Sequence, residues 1–401
     1  MKIRSITYFC NPQFPLEDKI LQQAGAFLST AKSAYETAGY EVQRVRLATV
    51  PFPKLLGEEN IGSLPEFTGQ IAEIAQRLGI GYVSLGPASS ELHRSFEVIP
   101  EAIFVSKDVF FGGTMADTQR GIDLAAIRAC AEVIVKCATL EQNGFANLQF
   151  AALANVPAGA PFFPAAYHNS DVPSFAIATE AADLAVEAFE NAKNLEEARN
   201  NLIHEIETHG KKLAEAARSL ECYFRGIDFS LAPFPDDAHS LGNAVEKMGV
   251  PHIGQHGSLF AAAILTEAID RADFPHTGFS GFMQPVLEDS VLARRAAEGI
   301  LTVKDALLYS AVCGTGLDTI PLPGNTPAEH IVPLLLDLCA LALRLDKPLT
   351  ARLMPIPGKK AGEETNFDFA FFAPSRVMKL DSEPLTNSLS GTEMIQLSSR
   401  G

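Results

Sequence analysis

Residues 2–9 read Lys-Ile-Arg-Ser-Ile-Thr-Tyr-Phe, an alternation that is typical of a β-strand. Asn11-Pro12 ends this run, and residues 16–38 then place apolar side chains and many alanines at helical spacing. A second alternating run covers residues 41–47. This strand–helix–strand order favours an α/β fold with a largely parallel sheet.

The same rhythm continues along the rest of the chain. Residues 79–85 and 102–106 predict strands, and residues 121–138 predict a buried helix. Later strands are predicted at 147–154, 174–179, 226–231 and 349–354. Later helices are predicted at 181–219, with a break near 191–194, and at 258–272, 291–298 and 327–345. Because no long linker interrupts this order, we expect one intertwined domain over residues 1–380 and a polar, loosely ordered tail at 381–401.

The composition limits the classes of partner. The 401 residues are 47% hydrophobic and carry a net charge of −16 without a basic stripe, which argues against binding of nucleic acid or an anionic membrane. No apolar run reaches the ~18 residues that span a bilayer, no signal-peptide pattern opens the sequence, and the six cysteines form no CxxC pair. We therefore expect a cytoplasmic protein with a small-molecule ligand, and two alanine-rich helices offer a surface for a homo-oligomer.

The segment Ala-Val-Cys-Gly-Thr-Gly-Leu-Asp, residues 311–318, places a thiol and a carboxylate around two glycines. Gly314 and Gly316 permit positive φ and a close approach to the backbone, so both are predicted to bind ligand together with Asp318. Backbone amides near Cys313 would favour its thiolate and could stabilise an oxyanion, which makes Cys313 a candidate nucleophile or acid. The alternative is a buried core cysteine.

Two histidines lie beside turn-forming residues. His168 follows the stiff segment 161–166 and stands next to Tyr167, whereas glycines flank His256 just before Ser258. An imidazole that is held rigidly or left accessible suits a general base, so His256 or His168 is the predicted base. Tyr167 and Ser258 are the predicted ligand-binding neighbours. The alternatives are a hydrogen-bonded core histidine at 168 and a helix cap at 258.

Three acids complete the set of candidates. Asp228 lies inside a strand-like run, where burial is costly unless the carboxylate is paired or bound. Glu288 and Asp289 open a predicted helix, where capping and the helix dipole are an alternative explanation. Asp228, Glu288 and Asp318, with His256 as a possible nitrogen ligand, together allow a site for a divalent metal ion, although no metal-binding spacing signature is present.

Four motifs carry a family resemblance. They are Pro-Phe-Phe-Pro-Ala-Ala-Tyr-His at 161–168, Gly-Ile-Asp-Phe-Ser-Leu-Ala-Pro-Phe-Pro at 226–235, Pro-Val-Leu-Glu-Asp-Ser at 285–290, and the cysteine segment at 311–318. They resemble the DUF711 / UPF0210 family of uncharacterised prokaryotic proteins. The resemblance extends from the first strand to residues 355–359.

The resemblance implies a fold similar to pyruvate formate-lyase and other glycyl radical enzymes. That fold is an α/β barrel of two five-stranded parallel half-sheets surrounded by helices, with a loop inserted into its centre. By analogy of setting, Cys313 is the counterpart of the cysteine on that loop. The radical-bearing segment is missing, because Arg376-Val377 is followed by Met378-Lys379, so we expect no glycyl radical.

The leading functional hypothesis is an enzyme that acts on a small metabolite in a buried polar pocket. A thiol- or metal-assisted lyase, hydrolase or isomerase would use the candidates above. The alternative is a non-catalytic metabolite-binding or regulatory protein that kept an enzyme-like barrel, since a fold does not by itself specify a reaction.

Overall fold

The computed structural model describes residues 1–400, which contain eleven strands and thirteen α-helices. The strands are β1 (Lys2–Cys10), β2 (Val45–Thr49), β3 (Tyr82–Ala88), β4 (Val109–Asp117), β5 (Gly121–Asp123), β6 (Phe150–Ala154), β7 (Ser174–Glu180), β8 (Tyr223–Asp228), β9 (Gly316–Pro323), β10 (Leu349–Ile356) and β11 (Met394–Ile395). The helices are α1 (Asp18–Thr37), α2 (Phe52–Asn60), α3 (Leu64–Arg77), α4 (Arg94–Glu97), α5 (Ile99–Val105), α6 (Leu124–Ala138), α7 (Ala182–Asn191), α8 (Leu195–Ala217), α9 (Leu241–Lys247), α10 (Ser258–Arg271), α11 (Ser290–Ala297), α12 (Val303–Tyr309) and α13 (Ala328–Arg344).

One large sheet organises the molecule, with the strand order β8-β7-β1-β2-β3-β4-β6-β10-β9. The strands β1, β2, β3, β4 and β6 pair in parallel, as do β7 with β8 and β9 with β10. The β1–β7 and β6–β10 contacts are antiparallel. Helices pack around this sheet, and strands such as β6 and β7 are buried along their whole length. The predicted mixed α/β class is thus confirmed.

The sheet is strongly curved. Arg4 in β1 and Arg352 in β10 both contact Glu288. These strands are five positions apart in the sheet, and a flat sheet would separate them by roughly 24 Å, which is too far for both side chains to meet one carboxylate. The curvature therefore turns one face of the sheet inward, towards a shared space.

The segment 276–285 lies between the two edge strands. His276 forms an isolated parallel bridge with Ile227 of β8, and Pro285 forms one with Asp318 of β9. The strands β8 and β9 do not pair with each other within residues 1–400, so the pairing is that of an open, curved sheet. The predicted closed barrel stays a prediction.

One predicted strand is wrong. Residues 102–105 belong to the helix α5, Ser106 follows its end, and the strand in this region is β4. Pro100 lies in the first turn of α5, where its fixed φ favours a helix. Ile99, Ala102 and Ile103 are buried while Phe104 is 75% exposed, which is helical spacing. The apolar run was too short to distinguish the two structures by pattern alone.

The polar tail runs along the surface of the domain as far as it is described. Its short strand β11 pairs antiparallel with β5, and Arg128 of α6 donates hydrogen bonds to the carbonyls of Leu389 and Gly391. Arg344 of α13 donates to the carbonyl of Ser398. The last residue of the predicted tail, Gly401, lies outside the described residues.

None of the helices within residues 1–400 combines the length and the apolar character needed to cross a bilayer. The longest helix, α8, has 23 residues and carries charged side chains along its exposed face.

Candidate functional site

A cavity of about 120 Å³ lies on the inward face of the sheet. Side chains from seven strands line it, which the curvature of the sheet makes possible. The polar part of the lining consists mainly of Arg4, Arg44, Arg46, Glu288, Asp318 and Arg352. The apolar part consists mainly of Tyr82, Phe110, Phe162, Phe163, Phe279, Phe369 and Phe371.

A chain of alternating charges runs along one wall of the cavity, and four of its five members line the cavity. Arg4 Nη1 donates to Glu180 Oε2 at 2.9 Å, and Arg4 Nη2 donates to Glu288. Arg352 Nη2 donates to Glu288 Oε1 at 2.8 Å and to Asp318 Oδ2 at 2.9 Å. We call Glu180, Arg4, Glu288, Arg352 and Asp318 the charge chain. It joins β7, β1, β9 and β10 to the segment before α11, so residues far apart in the sequence meet here.

The charge chain shifts the pKa values of its members. Burial opposes the charge of Arg4, but Glu288 and Glu180 outweigh it and raise the pKa of Arg4. Burial likewise opposes the charge of Arg352, whose pKa is nevertheless raised by Asp318 and Glu288. For Asp318, burial raises the pKa against the opposing influence of Arg352. A carboxyl group with a raised pKa is a suitable proton donor or acceptor near neutral pH.

Arg46 lies beside the charge chain but is not paired with it. Its side chain is 9% exposed, and its Nε has no hydrogen-bond partner among residues 1–400. Its Cζ lies 5.0 Å from the ring centroid of Phe163 and 5.8 Å from that of Tyr82. Burial, and next the charge of Arg4, lower the pKa of Arg46 to about 9. The charged guanidinium is thus held by aromatic faces alone, which is unusual for a buried arginine.

The loop between β6 and β7 forms the aromatic side of the cavity. Thr7, which is opposite Arg46 across the β1–β2 pair, donates to the carbonyl of Pro161 at 3.0 Å. Ser84 of β3 donates to the carbonyl of Ala166 at 2.7 Å. These two bonds fix the loop on the sheet, and Phe163 then packs its ring edge-on against another ring of the lining.

Cys313 lies in the core rather than on the cavity lining. Its side chain is fully buried, and Gln284 Nε2 lies 3.9 Å from its Sγ. The adjacent glycines serve packing: a Cβ on Gly314 would lie 2.5 Å from the carbonyl oxygen of Phe279, and one on Gly316 would lie 2.3 Å from that of Thr350. The catalytic role of Cys313 and the ligand-binding role of both glycines stay predictions, without support from this geometry.

His168 is buried beside Phe9, on a part of the loop that does not line the cavity. Neither ring nitrogen has a hydrogen-bond partner among residues 1–400. Burial, and next the charge of Arg225, lower the pKa of His168 to about 4, so the imidazole is neutral at pH 7. Tyr167 donates its hydroxyl to the carbonyl of Val156 at 2.9 Å, which holds the same loop.

His256 and Ser258 lie away from the cavity, at the start of α10. His256 is exposed to solvent. Ser258 is buried, and its hydroxyl accepts a hydrogen bond from the backbone N–H of Gly254 at 3.1 Å. Neither of the two predicted histidines therefore lines the cavity with Asp318. Their predicted roles remain untested.

Asp228 is fully buried and holds the segment 276–285 in place. Its carboxylate accepts hydrogen bonds from the backbone N–H groups of Phe279 and Ser280 at 2.7 and 2.8 Å, and from the Ser230 hydroxyl at 2.7 Å. Burial raises the pKa of Asp228 to about 6 against the opposing influence of these bonds. Because Phe279 lines the cavity, Asp228 shapes the site from behind it.

The two acids before α11 have different partners. Asp289 caps the helix by accepting from the N–H groups of Val291 and Leu292 at 2.9 and 3.0 Å, whereas Glu288 belongs to the charge chain. Within residues 1–400, no three side chains of His, Cys, Asp or Glu are grouped closely enough to hold a metal ion. The predicted metal set of Asp228, Glu288 and Asp318 does not form such a group and stays a prediction.

Sequence reasoning missed the arginines that dominate the cavity. Arg4, Arg46 and Arg352 each stand within an otherwise apolar or small-residue strand, as in Lys-Ile-Arg-Ser-Ile and Thr-Ala-Arg-Leu-Met. An arginine in the interior of a buried strand is costly unless it is paired or binds something. That placement is the signal by which they could have been found.

Comparison with known proteins identifies relatives over most of the chain. A family model described as "Uncharacterised ACR (DUF711)" matches residues 1–375. A UPF0210 protein of Pyrobaculum islandicum is 32% identical, with 81% of this chain and 76% of the relative covered. A UPF0210 protein of Ruminiclostridium cellulolyticum is 28% identical, with 98% of this chain and 90% of the relative covered. The family resemblance of the four motifs is therefore confirmed, and none of these descriptions states an activity.

Proposed function

The chain belongs to the DUF711 family, and we propose that it is an enzyme that acts on a small metabolite by proton transfer in the arginine- and aromatic-lined cavity. The observation that carries the proposal is the charge chain, which gathers five ionisable side chains from distant parts of the sequence at the wall of an otherwise aromatic space. Buried charges are costly, and such clusters are concentrated at functional sites.

Asp318 is the member best suited to exchange a proton with a ligand. It lines the cavity, and its side chain is 13% exposed against 7% for Glu288. Glu288 is shared by two arginines, whereas Asp318 is bound by Arg352 alone. Asp318 would therefore act as general base or acid, while Arg4 and Arg352 stabilise negative charge that develops on the substrate.

We propose further that the curved sheet closes into the barrel of the glycyl radical enzymes. Five strands, β1, β2, β3, β4 and β6, form one parallel set. A second set of β10, β9, the segment 276–285, β8 and β7 would also be parallel, since that segment bridges in parallel to both edges. The radical-bearing sequence is missing after Arg376-Val377, which supports chemistry without a glycyl radical.

A non-catalytic binding protein is the second candidate, and one observation favours it. Arg352 engages both carboxylate oxygens of Asp318, one through Nε and the other through Nη2. A bidentate pair of this kind stabilises the carboxylate form and reduces its availability for proton transfer. In this case the cavity would bind a metabolite without converting it.

Consumption of substrate separates the two candidates. The full-length protein would be incubated with a defined mixture of small cellular metabolites, whose depletion is followed by mass spectrometry. We expect the wild type to deplete a metabolite. Asp318→Asn should lose this depletion, and Asp381→Asn should retain it. Asp381 is a suitable control because its side chain is 65% exposed and pairs only with Lys304 at the surface. Equal depletion by wild type and Asp318→Asn, in a variant with unchanged far-UV circular dichroism, would contradict the proposal.

A further inference from the structure

We propose that the cavity binds a small organic monocarboxylate with a flat, unsaturated body, whose carboxylate pairs with the guanidinium of Arg46. This inference rests on the proposed function only in using the same cavity, since it names the class of ligand and not the reaction. Three observations carry it: the missing hydrogen-bond partner of Arg46, the charges of the side chains that line the cavity, and the size of the cavity.

Arg46 differs from the other arginines buried at the cavity. Arg4 and Arg352 are each bound by two carboxylates, whereas Arg46 has an Nε without a partner among residues 1–400. A buried charge without a hydrogen-bonding counterion is strongly unfavourable. An arginine kept in that state at the wall of a cavity is explained by a ligand that supplies the missing acceptor oxygens.

The aromatic contacts of Arg46 indicate how it would bind. Its guanidinium lies over the ring of Phe163 and near that of Tyr82, with Cζ 5.0 and 5.8 Å from the two centroids. The rings attract the cation but supply no acceptor oxygen, so the hydrogen-bonding capacity of the planar guanidinium fork is left for a ligand. That fork matches a carboxylate through two parallel hydrogen bonds.

The charges of the site match a single negative charge. Four arginines line the cavity against two carboxylates, although the whole protein carries a net charge of −16. Counting Glu180 behind Arg4, the three buried arginines are balanced by three carboxylates. The exposed Arg44 at the mouth then leaves one positive charge, which a monoanion neutralises and a doubly charged phosphate exceeds.

The size and the lining of the cavity define the rest of the ligand. Its volume of about 120 Å³ is close to the ~150 Å³ of a protein cavity that accepts benzene, so it has room for about one ring and not for a nucleotide. The rings of Phe163 and Tyr82 each pack edge-on against Phe110, at centroid distances of 5.5 and 5.1 Å. Such a cluster favours a flat apolar body over a flexible polar one.

The test compares benzoate, its neutral isostere benzamide, and inorganic phosphate as ligands of the full-length protein. Isothermal titration of the wild type should give an affinity for benzoate at least about tenfold higher than for benzamide, because only benzoate forms a charged bidentate pair. In Arg46→Gln the ratio should fall to about one. Arg46→Lys, which keeps the charge but lacks the planar fork, should give an intermediate ratio.

The control variant is Arg225→Gln. Arg225 is a partly buried arginine of β8 that donates to Ser174 and does not line the cavity, so its loss should leave the ratio unchanged. Thermal unfolding of each variant without ligand checks that it is folded. The proposal would be overturned if the ratio of the benzoate affinity to the benzamide affinity is near one in the wild type, or if it is unchanged in Arg46→Gln. Tighter binding of phosphate than of benzoate would also overturn it.

The outcome is independent of the proposed function. Loss of benzoate binding in Arg46→Gln, together with equal metabolite depletion by wild type and Asp318→Asn, would support the ligand class and contradict the proton-transfer enzyme. If depletion requires Asp318 but benzoate binding is unchanged in Arg46→Gln, the proton-transfer enzyme is supported and the ligand class is contradicted.

Discussion

Arg4 and Arg352 lie on strands that are five positions apart in the sheet, yet both donate hydrogen bonds to the carboxylate of Glu288. This shared carboxylate ties the two halves of the curved sheet together across the cavity. The fold and the candidate site therefore depend on the same contact.

Glu288→Gln should destabilise the protein markedly. It leaves two buried guanidinium groups with one carboxylate partner fewer, and breaking a buried pair by removing one partner costs about 3–5 kcal/mol. Urea unfolding would measure the change. The matched control is Glu215→Gln, which removes an exposed pair with Arg218 and should cost less than about 1 kcal/mol. Equal midpoints for the two variants would show that Glu288 does not hold the sheet together.

Arg46→Met should stabilise the ligand-free protein. The substitution replaces an unpaired buried charge by an apolar side chain of similar length, and exchanges of this kind are neutral or stabilising by about 1–4 kcal/mol. Thermal unfolding without added ligand would show the rise. A clear fall in stability would mean that Arg46 contributes to the fold, and the argument for an unsatisfied guanidinium would fail.

His168 should lower the stability of the protein as the pH falls from 7 to 5, whereas the raised pKa of Asp228 acts in the opposite direction. The pKa of His168 is about 4 in the folded state and about 6.5 when unfolded, so the unfolded state binds more protons between these values. Through this group, the free energy of unfolding should fall by about 2 kcal/mol between pH 7 and pH 5. His168→Leu should lose this part of the pH dependence in urea unfolding curves. An unchanged slope in the variant would show that the imidazole is not held neutral.

Cys313→Ala should leave metabolite depletion largely intact while it lowers stability by about 1–2 kcal/mol, as expected for a small buried side chain. Thiol-directed reagents should label the half-buried Cys222 before Cys313 in the native protein. Abolished depletion in a folded Cys313→Ala variant would restore the thiol as the catalytic group predicted from the sequence.

The fold class could be predicted from the sequence because most strands and helices have clear local patterns. Residues 102–106 were wrongly predicted to be a strand because a short apolar segment fits a strand and a helix equally well. Only the packing in the folded protein shows that the segment is part of α5 up to Val105. The curvature of the sheet could not be predicted in this way. It depends on contacts such as Arg4–Glu288, which are 284 residues apart in the sequence.

The site was harder to predict than the fold. Cys313 and His256 were selected because the glycines and prolines near them mark turns. A turn does not show which side of the chain faces a cavity. Asp318 and Glu288 were both among the predicted site residues, and the structure brings them together through Arg352. Arg46 was missed although its place inside a buried strand was a signal, and only the structure shows that its Nε has no partner among residues 1–400.

The most direct test of the account is a crystal structure of the wild-type protein with 4-bromobenzoate, in which anomalous scattering locates the bromine. We predict the bromine inside the cavity, against the ring of Phe163 or Phe110, and the carboxylate within hydrogen-bond distance of Arg46. The same ligand should be absent from the cavity of Arg46→Gln crystals grown and soaked identically. Bromine density only outside the cavity, or equal density in both proteins, would contradict the account.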